Sequence, residues 1–588
     1  MTVGERLKKE QNSIIAIVFT ILIYTIISIF FDCYFDLNDD VLMKDIVAGV
    51  YTGKPDGRNI QMLFPISWFI SLFYFIPVNI SWYGLFLCGC QFFSICIFTK
   101  RLLDFLNQFA VKVVILLVEG ALIVTLFLHE IVFIQYTVTC TMLAAAAAFL
   151  FYTSKIDVSP GKFFKNNIVS IILVILAFQI RSEMLLLVFP LICVTGLCKW
   201  ATEKPVFTKD NAVKYFSVFG VILLGMLVSV GVNKAAYSST PWQQFNRFFD
   251  SRTEVYDFYG IPPYEENQEF YESIGLAKEE QILLDNYNFG LDEEIDDTLL
   301  EQISEYAGEQ KAQSGTVTDR LKKALLDYKY RSFHETDYPY NILVMILYVM
   351  VLLSALLNKH FHMLWKLPFL GFVRTGLWMY ILYNGRDPIR ITHSLYFMEI
   401  AILLGLYLIE TETKNKINRR LNFVITFILA TFSILNIGDS LNLVHNKYIL
   451  REETNQNLHA LQTYTKQNSE NFYFLDVYST VSYSEKIFVD VDNSITNHDI
   501  MGGWACKSPL MREKYEKYGI QSMEDALINQ DHVFYVVQAP ERDGMPSSHE
   551  WLTAYYRNRN KEIDLIKTDS ISTTNGEVFT VYKLQLVN

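Results

Sequence analysis

Twelve nearly unbroken apolar runs divide the chain, near residues 13–31, 61–77, 80–98, 111–128, 131–152, 167–180, 183–200, 213–232, 340–357, 365–383, 392–409 and 421–437. Most approach the ~20 residues that a helix needs to cross ~30 Å of hydrocarbon. The basic residues between the runs orient them. Lys8 and Lys9 put the N-terminus inside. If 61–77 crossed the membrane, Lys100, Arg101, Lys112 and every later basic loop would fall outside. If 61–77 only dips into the outer leaflet, "TKRLLDFLNQFAVK", "SKIDVSPGKFFK", "KWATEKPVFTK", "NKHFHMLWK" and "ETKNKINRR" all fall inside. The second arrangement satisfies the positive-inside bias at every turn. The pattern therefore predicts a polytopic α-helical membrane protein with about eleven transmembrane helices, a cytoplasmic N-terminus and an extracytoplasmic C-terminus. Pro65 and Pro77 bracket the 61–77 run, which suits a short membrane-surface helix. The first run has a basic flank but no small-residue cleavage site, so it reads as a retained span rather than a signal peptide.

This topology leaves three outer pieces: a first loop (32–79), a long loop (233–339) and a C-terminal segment. The long loop carries 22 acidic and 10 basic residues between 234 and 339, which predicts a solvated layer. Helical periodicity and acidic starts in "LAKEEQILLDNYNFGLDEEIDDTLLEQISEYAGEQKAQ" predict short surface helices there. Beyond 437 the pattern changes. "NFYFLDV", "HVFYVVQA", "EIDLIKTDS" and "VFTVYKLQLV" read as strands, and "REETNQNLHALQTYTKQ" and "SMEDALINQ" as helices. Residues 1–437 are thus expected to form the transmembrane domain, and 438–588 a small extracytoplasmic α/β domain. The small residues of "AAAAA" at 144–148 predict close helix packing.

Composition agrees with this picture and excludes some partners. The chain is 51% hydrophobic and 19% charged, with a net charge of −12, so nucleic acid is not an expected partner. The eight cysteines include no CxxC pair, and seven lie in or beside apolar runs, where they read as small apolar side chains.

The polar groups that resist this scheme are the candidates for chemistry. Asn38, Asp39 and Asp40 follow directly on the first span. Val41, Leu42, Ile46 and Val47 behind them form an apolar stripe at helical spacing, ending near Gly49 or Gly53. One reading makes Asn38 or Asp39 an N-cap. The other holds a carboxylate at the outer membrane face, available as a base. Neighbours at a helix start point about 100° apart, so one acid can cap while the other faces a cavity. Arg58 in the first loop, Arg181 with Glu183, and Arg386 with Arg390 and His393 fall at the same predicted face. Guanidinium groups bind phosphates bidentately, so the set suits an anionic lipid headgroup, while snorkelling explains any one arginine alone. The aromatic-rich stretch containing Trp242 and Arg252 suits either a sugar ring or a packed covering loop. Glu119 and Arg374 lie near the middle of their runs. Unpaired, each would cost at least ~2.5 kcal/mol at the bilayer centre. They are expected to pair with each other or with other polar groups. His360 and His362, one residue apart in an inner loop, are a weak metal signal.

The aspartate-bearing first outer loop, the proline-opened half-helix, about eleven spans and a C-terminal outer domain together resemble the GT-C superfamily of polyprenyl-phosphate-dependent glycosyltransferases. The motifs that carry the resemblance are "NDD", "GVYTGKPDGRN" and "LFPISW"; a His-Pro-Pro or Pro-Pro opening and a WWD-type motif are absent. The resemblance implies that Asp39 or Asp40 is the base on an acceptor hydroxyl, and that Arg58, Arg181, Arg386 or Arg390 hold the donor lipid phosphate. It implies a polyprenyl-phosphate sugar donor and a glycan or lipid acceptor. Asn38, Glu183, His393, Trp242 and Arg252, from the reading of the residues themselves, are further expected substrate contacts. No cofactor is required by this reading, and a divalent metal stays open. The competing readings are a non-catalytic polysaccharide transporter or polymerase-like membrane protein, and a sensor or scaffold in which the acids only cap. A transporter usually shows two related halves with broken helices, and no such halves are visible.

Overall fold

Helices occupy all eleven positions at which the apolar runs predict spans. The structure, a computed structural model, describes residues 3–76, 79–313, 315–411, 416–489, 494–542, 544, 546–574 and 576–587. The chain opens with α1 (Val3–Phe30), a two-residue strand β1 (Tyr34–Phe35), α2 (Asn38–Ala48) and α3 (Phe64–Phe73). The bundle continues through α4 (Trp82–Asp104), α5 (Phe109–Val132), strand β2 (Phe133–Ile134), α6 (Tyr136–Tyr152), α7 (Pro160–Asn166), α8 (Ile168–Ile180), α9 (Ser182–Trp200) and α10 (Lys209–Ala236). Among the described residues, eight helices are long and apolar enough to cross a membrane alone, and the pair α7–α8, bent by 51°, makes a ninth if counted as one span. The protein is a multi-pass membrane protein. The helix α3 opens at Pro65 and has 10 residues, about 15 Å at 1.5 Å per residue, too short to cross. Pro77, expected to close it, lies outside the described residues.

At the centre of the bundle is α6. Every side chain from Ala144 to Ala148 is buried, which lets its neighbours approach closely. A helix apolar all round has no polar face to turn outward, so this 17-residue helix is enclosed by α4, α8, α9 and a later bundle helix.

The long loop after α10 forms α11 (Thr240–Glu254), α12 (Gln268–Ser273), α13 (Lys278–Asp285), α14 (Asp297–Gln313) and α15 (Val317–Phe333). Four helices return to the bundle: α16 (Tyr340–Leu357), α17 (Lys366–Tyr383), α18 (Ile389–Glu410), which is the later helix packed on α6, and α19 (Lys416–Gln467). The last has 52 residues, about 78 Å of helix. Its first half packs on α5 and its second half runs out of the bundle, so the segments 421–437 and 451–467 are one continuous element. No proline interrupts the sequence between them.

Five strands follow: β3 (Phe472–Leu475), β4 (His498–Ile500), β5 (Val533–Gln538), β6 (Ile563–Thr573) and β7 (Gly576–Leu586), in the order β4-β3-β5-β7-β6. The strand β3 runs parallel to β4 and β5, and β7 is antiparallel to β5 and β6. Helices α20 (Pro509–Lys517), α21 (Met523–Asn529) and α22 (Ser548–Asn558) pack on this sheet. The long loop is more than a solvated cover. Its Phe248, Tyr271, Leu283 and Phe289 share one core with Phe472, Tyr515, Trp551 and Tyr555 of the C-terminal segment. The two segments form a joint layer over one end of the bundle, the covered face.

The expected Glu119–Arg374 pair does not form. Glu119 accepts a hydrogen bond from Thr99 (2.7 Å), and Arg374 pairs instead with Glu399 (2.8 Å). Burial is met by partners nearer in the packing, as the second half of that expectation allowed.

Candidate active site

The first turn of α2 stands at the covered face. Leu37, extended at φ −126° and ψ 158°, is its N-cap and makes no side-chain cap bond. Neither Asn38 nor Asp39 caps the helix. All three polar residues lie inside the first turn, where the helix dipole favours acids. Gly49 ends the helix at φ +86°, and a Cβ there would collide with the backbone of Lys54 and Pro55. Asn38 is half-buried, with no side-chain partner among the described residues.

The two acids point apart, as adjacent helical positions must. Asp40 is fully buried. Its Oδ1 accepts a hydrogen bond from the Tyr83 hydroxyl (2.7 Å), and its Oδ2 has no partner among the described residues. Burial pushes its carboxyl well above the ordinary carboxylate range, against the pull of the Tyr83 bond. Asp39 is half-buried. Its Oδ1 accepts the Trp504 Nε1–H (2.9 Å), and its Oδ2 is unbonded among the described residues.

Arg181 is the residue between α8 and α9. It is extended (φ −152°, ψ 96°), so it breaks one helix and caps the next in a single step at the covered face. The guanidinium lies over the Tyr136 ring (5.2 Å), donates from Nη1 to Gln61 Oε1 (2.5 Å) and pairs through Nε with Glu183 (3.1 Å). Nη2 has no partner among the described residues, and a quarter of the side chain is exposed. Glu183 and Asp39 are the carboxylates whose charge reaches it. Gln61 also accepts from the Tyr136 hydroxyl (3.4 Å).

The structure ties most of the other predicted contacts elsewhere. Arg58 forms a bidentate pair with Asp56 (2.7 and 3.0 Å) and lies over the Trp242 ring (5.6 Å). Trp242, a candidate sugar platform, is 3% exposed and packs on Tyr237 and Phe245. Arg252 donates to the Tyr287 hydroxyl (2.9 Å) between the Tyr256 and Tyr287 rings. Arg386 is clasped by Asp257 (2.6 Å) of the long loop. Arg390 makes no side-chain bond among the described residues. His393 faces the buried Glu130 (3.3 Å). Glu130 also meets His129, whose Nε2 lies 2.8 Å from Lys447 Nζ; that lysine in turn pairs with Asp36 (2.5 Å). Among the described residues no group of three or more His, Cys, Asp or Glu side chains comes together to hold a metal. His360 and His362 have ring centroids 5.7 Å apart.

Sequence reasoning missed the residues that surround the acids and Arg181: Gln61, Tyr83, Tyr136 and Trp504. A neutral aromatic or amide carries no charge signal. "GGW" was the one visible mark, since paired glycines before an aromatic indicate a constrained turn. A cavity of about 750 Å³ lies elsewhere on the layer, lined by Pro241, Pro509, Arg512, Glu513, Glu516 and Lys517.

No family model matches the chain, and no curated protein matches it. Among solved structures, ArnT from Cupriavidus metallidurans bound to undecaprenyl phosphate is similar over 97% of this chain and 97% of its own, at 10% sequence identity and a TM-score of 0.35. A likeness that low decides neither the fold nor the chemistry of this chain.

Proposed function

We propose that the protein is a GT-C-type membrane glycosyltransferase that transfers a sugar from a polyprenyl-phosphate donor to a cell-envelope glycan or lipid acceptor. The observation that carries this reading is the pairing of roles at one membrane face. Among the described residues Asp39 keeps one oxygen open, and Arg181, within reach of the Asp39 charge, keeps one nitrogen open. The covered face is the outer one, because the basic loops collect at the other end of the bundle.

The chemistry follows from the two open groups. A lipid phosphate leaves already ionised, so it needs positive charge more than a proton, and Arg181 Nη2 supplies a donor. The acceptor hydroxyl needs a base and alignment, and Asp39 Oδ2 is the free oxygen for that proton. Asp40 has the opposite character. Fully buried, with burial pushing its carboxyl well above the ordinary carboxylate range, it accepts from Tyr83 and is not the group assigned to proton transfer. A site at the membrane face lets a lipid-bound donor enter sideways while the acceptor arrives from water.

The test replaces Asp39 and Asp40 separately with Asn and measures transfer from a panel of labelled polyprenyl-phosphate sugars. D39N is expected to lose about 10²–10⁴-fold in kcat, the usual contribution of a general base. D40N, which keeps a neutral acceptor for Tyr83, is expected to retain most activity. Full activity in D39N would sink the base assignment.

A further inference from the structure

Trp504 belongs to the C-terminal segment, yet it packs into the core of the membrane bundle together with Ala505 and Leu510. The turn that delivers it is fixed from several sides. A Cβ on Gly502 would collide with the Tyr287 carbonyl oxygen, and Gly503 has φ +88°, so both positions demand glycine. Gly290 N–H donates to the Met501 carbonyl (2.8 Å), which pins the turn to the long loop. On the other side of Trp504, half-buried Lys507 donates to the carbonyls of Ile295 (2.7 Å) and Asp292. The indole is 8% exposed, and its one polar atom is spent on Asp39 Oδ1 at 2.9 Å.

We propose that Trp504 is a positioning residue for Asp39, and that the C-terminal domain thereby completes the site formed at the bundle face. An indole has one donor and no acceptor. Its N–H therefore fixes which carboxylate oxygen is anchored and leaves Oδ2 as the oxygen directed to a substrate. A carboxylate free to rotate about its terminal torsion would present either oxygen. Because the donor comes from the C-terminal segment, the geometry of the base depends on that domain being docked. This inference rests on the reading of Asp39 as the base.

The test uses the full chain in nanodiscs with 5-fluorotryptophan at its eight tryptophans. W504F assigns the Trp504 fluorine resonance by its disappearance and keeps an aromatic ring in the packed site. D39N is expected to move that resonance, and D40N to leave it nearly in place. In the transfer assay W504F is expected to lower kcat about tenfold or more, with unchanged affinity for polyprenyl phosphate measured separately. If D39N leaves the Trp504 resonance unmoved, or if W504F transfers sugar as fast as wild type while D39N is inactive, the proposal is overturned. Activity retained by D39N itself would instead overturn the base reading and leave the fluorine result standing. W504F that loses polyprenyl-phosphate affinity and thermal stability together would show a packing residue only, and would also overturn the proposal.

Discussion

The Arg374–Glu399 pair allows a prediction with a direction as well as a size. Glu399 is 1% exposed, and it accepts from Arg374 Nε (2.8 Å) and from the Tyr348 hydroxyl (2.7 Å). The guanidinium also donates to Tyr328 and lies over the rings of Tyr328, Trp378 and Tyr396 at 5.4–5.8 Å. Breaking a buried pair from one side costs about 3–5 kcal/mol, because a charge is left uncompensated. The two sides are not equivalent. A lone carboxyl can shed its charge by taking a proton, at ~1.4 kcal/mol for each unit between its pKa and the ambient pH, whereas a guanidinium stays charged. E399L is therefore expected to lie at the top of that range. R374M is expected to cost about 1–3 kcal/mol, part of it the lost contact with the three rings. R374M/E399L, with both charges gone, is expected within about 1 kcal/mol of wild type. Denaturant or thermal unfolding of the four proteins in one detergent gives the ordering and the coupling energy of the cycle. R374M more damaging than E399L, or a double variant as damaged as the sum of the singles, would refute the reasoning.

Two further outcomes follow from the site and its supports. Burial pushes the Asp45 carboxyl up to about 6, against the pull of Lys44 and with the push of Glu485. The folded state holds that proton more tightly than the unfolded chain, whose carboxyl titrates near ~4. The stability it brings is full below about pH 4 and is lost as pH rises to about 6, on the order of 3 kcal/mol in all. D45N should flatten this slope in unfolding measurements between pH 4 and 7, and an unchanged slope would rule the assignment out. R181K keeps the charge but loses the forked donor geometry. Binding of sugar-free polyprenyl phosphate to the protein in nanodiscs is expected to weaken about 10–100-fold, the scale of a lost charge-assisted hydrogen bond; equal affinity would remove Arg181 from the phosphate site.

The bundle was legible in the sequence because membrane spans are written by composition, and composition survives without any knowledge of neighbours. The strands of the C-terminal sheet were legible for a similar reason: apolar runs such as "NFYFLDV" and "HVFYVVQA" are bounded by turn residues. The strand β4, with half-buried His498, Asp499 and Ile500, has no apolar run and left no such mark. The site was only partly legible. Charges draw attention at a membrane boundary, so Asp39, Asp40 and Arg181 stood out. Partner choice did not, because it is set by which helices touch. Arg374 reaches Glu399 rather than Glu119 through the packing around α18, and Arg58 and Arg386 find Asp56 and Asp257 close to their own loops. An arginine at an interface looks the same in sequence whether it clasps a loop or awaits a phosphate.

The short helix that carries the acids shows how the C-terminal segment bears on the proposed site. An 11-residue helix is marginal alone in water, so α2 takes its order from its surroundings. Met43, Ile46 and Val47 are fully buried against the bundle, which fixes one side. The other side is fixed by the C-terminal segment. Lys44 pairs with Glu485 (2.5 Å), and the Tyr51 hydroxyl, just past the helix, donates to half-buried Asp499 (2.8 Å). Lys514 lies over the Tyr51 ring (4.4 Å) and donates to Thr496 and to the His498 carbonyl (2.8 and 2.6 Å). Lys517 reaches the Thr52 carbonyl. Every one of these bonds crosses from the first loop to the C-terminal segment or ties down the residues that do. Loosening that segment would free α2 on one side and leave the apolar side in place. The carboxylate of Asp39 would then lose its anchor while Asp40 kept Tyr83, so on the proposed reading the geometry of the base would fail before the fold did.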